Sequence, residues 1–222
     1  MEIPLREVRR NEVLLYLGYK GGEIPPEIET AIARCTAELL KTARPRAVWR
    51  LFTLEDDVHL QGTAFTPGGQ DVRKLLAGCG QVILMAATLG AETDRLIQRR
   101  EITDMTDALI LDCCANSAIE VVCDTLCEEL AAQFSPLHMT DRFSPGYGDM
   151  PLAQQPDFCN VLNTSRTMGL SVSRSGLLTP LKSVTALAGL SPEPQTMRSR
   201  GCAFCSQFEN CAFRKDNRYC GA

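Results

Sequence analysis

The chain has 222 residues, which is enough for one large domain or two small ones with a sizeable buried core. A formal net charge of -4 argues against a nucleic-acid-binding protein, which usually presents a basic face, and an aromatic content of 6% leaves few side chains for stacking on bases. The amino terminus lacks the apolar core of a signal peptide, and no run approaches the roughly 18 apolar residues of a membrane span. We therefore expect a cytoplasmic protein that binds neither nucleic acid nor membranes.

The first hundred residues mix helical and strand patterns in an irregular order. This irregular order favours an α+β fold over a regular alternation of parallel strands and helices. In chain order we predict an amphipathic segment at 9–19, a helix at 26–41, a strand at 47–52, an extended piece at 58–62, a short helix at 70–77, a central strand at 81–88 and a helix at 91–100.

Residues 104–133 are predicted to form the longest helix, with Asp104 as its N-cap. Glu120 sits on the flank of the buried stripe of this helix, where a carboxylate either solvates the helix or faces a ligand. Spacing leaves both readings open. The stripe comprises Ala108, Leu111, Ala115, Ile119, Val122, Leu126 and Leu130.

The segment from Arg142 to Pro151 is predicted to be a fixed loop. Its sequence is RFSPGYGDMP, and two prolines with two glycines exclude a regular helix. The loop carries a guanidinium at Arg142, a phenol at Tyr147 and a carboxylate at Asp149, groups that can orient a polar ligand. It is either a structured surface turn or half of a binding site.

Beyond this loop we predict a short helix at 156–162, a short strand at 169–172 and an extended run through 177–190. Pro192 and Pro194 then mark a linker, after which no core-forming pattern remains. The sequence thus predicts a domain at 1–192 and a cysteine-rich tail at 193–222.

The tail carries four cysteines with the spacing C-x2-C-x5-C-x8-C. Four thiolates can hold either zinc or an iron–sulfur cluster, and the spacing does not separate the two. The alternative is a tail of thiols that bind nothing. The four candidate ligands are Cys202, Cys205, Cys211 and Cys220.

Other cysteines fall in the longest helix, where packing is the expected role in a reducing compartment. Phosphate-binding glycine loops of the Walker or G-x-G-x-x-G type are absent from the sequence. A Ser/His/Asp hydrolase is poorly supported, because the chain has two histidines and neither has a motif neighbour.

The loop sequence resembles the R-x-x-x-G-Y signature of the activation domain of cobalamin-dependent methionine synthase. Arg142, Gly146 and Tyr147 match this signature, and the segment at 180–184, PLKSV, follows in the order of the family. The opening EVLLYLGYKG and the cysteine-rich tail make the chain most similar to stand-alone bacterial relatives of that domain.

This resemblance implies a single helmet-shaped α+β domain with a central antiparallel sheet flanked by helices. It implies binding of S-adenosylmethionine, with Arg142 on the ligand carboxylate, Tyr147 against the ligand and Glu120 on its ammonium or sulfonium side. The family supports reductive methylation of an oxidised cobalamin in methionine biosynthesis. Its partners are a cobalamin-binding methyltransferase subunit and an electron donor such as flavodoxin or ferredoxin.

The chain departs from the family at three places, one of which is that the acidic ligand residue near the family's amino-terminal end has no assigned counterpart. Residues 148–151 replace the usual continuation of the loop, and small residues at 186–189 stand where a tyrosine is expected. Two other functions stay open beside the activation subunit. One is an iron–sulfur electron-transfer protein that reactivates a corrinoid protein, and the other is a docking module with structural zinc.

Overall fold

A four-stranded antiparallel sheet forms the centre of the computed structural model, which describes residues 1–19 and 22–194. The strands are β1 (Arg46–Thr53), β2 (Gln81–Thr88), β3 (His138–Met139), β4 (Ser171–Val172), β5 (Leu178–Thr179) and β6 (Ser183–Ser191). Their order in the sheet is β1-β2-β6-β3, and β4 pairs with β5 in a separate two-stranded sheet. The predicted α+β class with a central antiparallel sheet is confirmed.

Helices cover both faces of this sheet. They are α1 (Arg10–Tyr16), α2 (Pro26–Thr42), α3 (Gln70–Leu76), α4 (Ala91–Thr103), α5 (Met105–Gln133), α6 (Gln155–Leu162) and α7 (Thr164–Met168). Within the described part of the chain, no helix is both long and apolar enough to cross a membrane.

Two hydrophobic cores lie on opposite faces of the sheet because successive strand residues point to opposite sides. Ile83 and Met85 of β2 contribute to the core beneath α1, α2, α4 and α5. Val82 and Leu84 contribute to the core beneath α3, α6 and α7. β2 is therefore apolar on both faces, as predicted for a central strand.

The long helix α5 packs across one face of the sheet. Its predicted stripe is confirmed, since all seven of its residues are buried. Asp104 caps the helix as predicted, because its side chain accepts hydrogen bonds from the backbone amides of Thr106 and Asp107 at 3.0 and 3.1 Å.

The extended piece predicted at 58–62 does not join the sheet. Residues Asp56–Val58 form a 3-10 turn, and the chain folds back so that Leu54 bridges Leu60. Leu60 is fully buried in the core beneath α3, so its apolar character reflects packing rather than strand pairing. The short elements α7 and β3 were not predicted, because two to five residues carry little periodicity.

The small residues at 186–189 lie in the middle of β6, where α3 approaches the sheet closely. A Cβ added to Gly189 would stand 2.5 Å from the Cys79 Sγ and 2.9 Å from a methyl carbon of Leu76. Close packing of the α3 segment on the strand therefore requires a glycine at this position.

We expect Gly189→Ala to lower the free energy of unfolding by about 1–3 kcal/mol, because the added methyl group overpacks the core. Urea denaturation measures the change. Gly80→Ala is the matched control, since a Cβ there meets nothing within 4 Å and its backbone is not left-handed. A loss of stability at Gly80 equal to that at Gly189 would contradict the steric explanation.

Candidate functional site

The loop at 142–151 is anchored to the sheet at its base and exposed at its tip. Phe143 exchanges two backbone hydrogen bonds with Leu187 of β6, at 2.9 and 2.8 Å. Met150 is 2% exposed and lies in the core, whereas Tyr147 is 69% exposed. The loop therefore presents Tyr147 to solvent from a rigid base.

Asp149 ties the loop to the beginning of α3. Its carboxylate accepts hydrogen bonds from the backbone amides of Gln70 and Asp71, at 2.6 and 3.0 Å. These hydrogen bonds hold the pKa of Asp149 below its usual value. The Gln154 side chain adds a second tie, accepting from Gly68 N at 2.8 Å and donating to Thr66 O at 2.9 Å. The carboxylate of the loop thus caps a helix within the protein.

Arg142 reaches from the loop to α5. Its Nη2 lies 2.9 Å from Glu120 Oε2, and its Nη1 lies 2.9 Å from Asp124 Oδ1. The side chain of Arg142 is 18% exposed. Phe143 packs beside the core on the α3 side, so alternation along the extended chain directs Arg142 toward α5.

Polar residues recur every fourth position along one face of α5. They are Asp112, Asn116, Glu120 and Asp124. The Lys182 amine at the start of β6 lies 2.7 Å from both Asp112 Oδ1 and Asn116 Oδ1. This face of α5 therefore receives cations from two other parts of the chain, Arg142 and Lys182.

The amino-terminal segment supplies a third cation. Arg9 Nη2 lies 2.7 Å from Asp124 Oδ2, and its Nη1 lies 3.1 Å from Glu12 Oε1. Ser117 of α5 donates to Glu12 Oε2 at 2.8 Å and accepts from the Arg9 backbone amide at 3.1 Å. We call Arg9, Glu12, Glu120, Asp124 and Arg142 the charge cluster; it has two cations, three carboxylates and a formal charge of one negative unit.

The electrostatics of the cluster are visible in the pKa values of Glu120 and Tyr16. Burial raises the pKa of Glu120, and the charges of Asp124 and Glu12 add to this effect while Arg142 opposes it. The pKa of Tyr16 is raised mainly by burial and then by the negative charge of Glu120. Tyr147 is close enough to contribute a smaller electrostatic effect. Tyr16 is 43% exposed, so its neutral phenol is available as a hydrogen-bond donor.

The structure brings together the predicted residues Glu120 and Arg142, with Gly146 and Tyr147 on the same loop. Gly146 has a φ of 91°, a left-handed conformation that glycine adopts without strain and that turns the chain before Tyr147. Sequence reasoning did not identify Arg9, Tyr16 and Lys182. The four-residue repeat of polar side chains on α5 was the available signal for Asp112 and Asn116.

The cysteines of α5 pack in the core, as predicted. Burial raises the pKa of Cys113 to about 11 and that of Cys123 to about 12, so both stay protonated thiols at neutral pH. Within residues 1–19 and 22–194, no group of three or more His, Cys, Asp or Glu side chains could hold a metal ion. The predicted metal ligands Cys202, Cys205, Cys211 and Cys220 lie outside the described residues.

The raised pKa of Glu120 predicts a pH dependence of folding stability. A carboxyl whose folded pKa is raised stabilises the fold below its unfolded value, near 4.3, and this contribution is lost as pH rises through the folded pKa. Wild type should therefore lose stability relative to Glu120→Gln as pH rises from about 4, the unfolded value, toward neutrality. Urea denaturation across this range measures the difference.

Glu29→Gln is the contrasting control. The hydrogen bonds from Arg10 lower the pKa of Glu29, so its stabilising contribution is present above the unfolded value and is lost as pH falls. Wild type should therefore gain stability relative to Glu29→Gln as pH rises. If stability relative to wild type changes with pH in the same direction for Glu120→Gln and Glu29→Gln, the raised pKa of Glu120 is contradicted.

Comparisons with known proteins give a match at the level of structure. No protein family and no curated protein matches the chain. Among solved structures, the chain is similar to a crystal structure of the MetH reactivation domain bound to AdoHcy, with a TM-score of 0.62 and 15% sequence identity. The match covers 94% of this chain and 81% of that chain. The chain therefore has the fold that the sequence resemblance predicted.

Proposed function

We propose that this protein is an activation subunit that binds S-adenosylmethionine for the reductive methylation of an oxidised corrinoid. The corrinoid belongs to a cobalamin-dependent methionine synthase or a related methyltransferase in the cytoplasm. The observation that carries the proposal is the direct contact between Arg142 and Glu120, in a fold shared with a domain bound to AdoHcy.

The ligand fits the groups of the site one by one. The Arg142 guanidinium matches the ligand carboxylate, and Glu120 matches the ammonium or sulfonium charge. Tyr147 stands at the exposed tip of the loop, where its ring can lie against the ligand, and Gly146 turns the chain beneath it.

Charge also supports this ligand. S-adenosylmethionine carries an ammonium, a sulfonium and a carboxylate, so its net charge is one positive unit. The charge cluster carries one negative unit and lies partly within the protein, where screening by water and salt is reduced. The site therefore favours the sulfonium form of the ligand over a neutral thioether.

The exposure of the site suits a reaction shared with a second protein. Tyr147 and Tyr16 are both exposed to solvent and the Glu120 side chain is 41% exposed, so a methyl group on a sulfonium that faces Glu120 stays accessible to a docking partner. A flavodoxin or ferredoxin supplies one electron to the partner's cob(II)alamin. The methyl group of S-adenosylmethionine would pass to the reduced corrinoid of the partner, which would supply both electrons of the new bond; both electrons of the S–CH3 bond would stay on sulfur, and S-adenosylhomocysteine would leave. This subunit orients the donor, and the corrinoid partner carries the reaction.

Calorimetric titration of S-adenosylmethionine tests the ligand. Wild type should bind, and Arg142→Ala should bind about tenfold more weakly or worse, since a hydrogen bond to a charged group contributes about 1.5–3 kcal/mol. Arg95→Ala is the control, because Arg95 pairs with Glu92 on the exposed face of α4. Absence of binding by wild type would contradict the proposed function, and equal binding by wild type and Arg142→Ala would contradict the residue assignment.

We propose in addition that the tail at 193–222 holds a metal centre. The support is the spacing of Cys202, Cys205, Cys211 and Cys220, whose four thiolates suit zinc or an iron–sulfur cluster. An iron–sulfur cluster would supply electrons for the reduction step, whereas zinc would have a structural role.

Metal analysis of protein purified without oxygen tests the tail. We expect about one zinc, or the iron of one cluster with absorbance near 400 nm, per chain, and Cys202→Ser with Cys205→Ser should remove it. Cys159→Ser is the control, since Cys159 is buried in the core and its pKa is raised by burial. Retention of metal by the double variant would contradict the proposal, as would absence of metal from wild type.

A further inference from the structure

The two carboxylates that hold Arg142 are bound very differently themselves. Each makes one contact with the guanidinium, Glu120 with Nη2 and Asp124 with Nη1, both at 2.9 Å. Among the described residues, Glu120 has no other ion-pair partner, and its side chain is 41% exposed. The Arg142–Glu120 contact is therefore the exchangeable one.

Asp124 is fixed through both of its oxygens. While Oδ1 contacts Arg142, Oδ2 lies 2.7 Å from Arg9 Nη2. Its side chain is 29% exposed, less than that of Glu120. Without Arg142, Asp124 would still be paired with Arg9. Without Glu120, Arg142 would still be paired with Asp124.

Arg9 is fixed in turn by α1 and α5. Its backbone amide donates to Ser117 Oγ at 3.1 Å, and its Nη1 contacts Glu12 Oε1 at 3.1 Å. The same serine donates to the other oxygen of Glu12 at 2.8 Å. The contacts that hold Asp124 through Arg9 therefore do not involve the loop at 142–151.

We propose that Asp124 is a positioning residue that keeps Arg142 in place while the carboxylate of the ligand displaces Glu120. The displaced Glu120 then faces the positive groups of the ligand. The exchange replaces one ion pair, Arg142–Glu120, with two, Arg142 with the ligand carboxylate and Glu120 with the ligand cation. This inference rests on the proposed function for the identity of the ligand.

The exchange explains how one site selects a zwitterion. A simple carboxylate would displace Glu120 from Arg142 but leave Glu120 without a cation. A simple cation would gain little from Glu120, because Glu120 would stay paired with Arg142. A ligand with a carboxylate and a nearby cation satisfies both residues at once, so both charges are needed for binding.

The first arm of the test needs no ligand. Nitrogen-15 NMR of the arginine side chains measures rotation of the Arg142 guanidinium about its Cζ–Nε bond. Rotation should be slow in wild type and in Glu120→Gln, at least tenfold faster in Asp124→Asn, and slow again in Asp124→Glu, which also shows that the site folds. Equal rotation rates in Glu120→Gln and Asp124→Asn would overturn the asymmetry between the two carboxylates.

The second arm compares S-adenosylmethionine with S-adenosylhomocysteine, which lacks the sulfonium charge. Asp124→Asn should weaken binding of both ligands because both use the Arg142 contact, by about fivefold to tenfold for S-adenosylhomocysteine and by more for S-adenosylmethionine, since the variant also removes one negative charge from the cluster. Glu120→Gln should weaken S-adenosylmethionine more than S-adenosylhomocysteine. Asp124→Glu should recover most of the affinity for both.

Glu38→Gln is the matched control, because Glu38 pairs with Arg100 between α2 and α4 at 2.7 Å and its side chain is 32% exposed. Its affinities should equal those of wild type. If Asp124→Asn leaves both affinities unchanged, or weakens S-adenosylmethionine while S-adenosylhomocysteine binds as in wild type, the positioning role is overturned. Absence of binding by wild type, with the expected rotation rates, would overturn the proposed function and the ligand exchange while leaving the hold of Asp124 on Arg142 intact.

Discussion

The packing of α5 against the sheet determines where the polar groups of the candidate site stand. Its buried stripe, from Ala108 to Leu130, fixes the rotation of the helix about its own axis. Adjacent residues of an α-helix are about 100° apart around that axis, so a shift of one residue would turn Glu120 away from Arg142. The hydrophobic contacts of the stripe therefore set the geometry of the charges on its flank.

Arg142 links the carboxylates of α5 to the loop that is hydrogen-bonded to the sheet. A cation that is only 18% exposed is costly to place unless carboxylates pair with it, and Glu120 and Asp124 provide that pairing. The residue next to Arg142, Phe143, is hydrogen-bonded to β6. The loop, the sheet edge and α5 thus depend on one another through two consecutive residues of the chain.

The parts of the fold that follow a local pattern were predictable from the sequence. The period of apolar residues identified α5 and its buried stripe, and the prolines and glycines identified the loop at 142–151. Glu120 and Arg142, which the structure places in contact, were named together by a resemblance to a known family, whereas helical spacing alone left Glu120 undecided.

The remaining contacts join positions that are distant in the chain. Arg9 and Ser117 are 108 positions apart, and Lys182 and Asn116 are 66 apart, so no local pattern indicates either contact. The small residues at 186–189 also needed the structure, since the approach of α3 to Gly189 is a tertiary contact. Local periodicity identifies elements, and only their packing reveals which charges meet.

The two hydrogen bonds from Asp149 to the start of α3 restrict how the loop at 142–151 can move. A swing of the loop backbone would break both of them, together with the Gln154 contacts to Thr66 and Gly68. The loop therefore acts as a stationary rim rather than a hinged flap. The exposed Tyr147 side chain keeps the freedom that the loop backbone lacks, because side chains on the surface rotate within picoseconds to nanoseconds. Under the proposed function, adjustment of this part of the site to a ligand would therefore fall to side chains and not to the loop backbone.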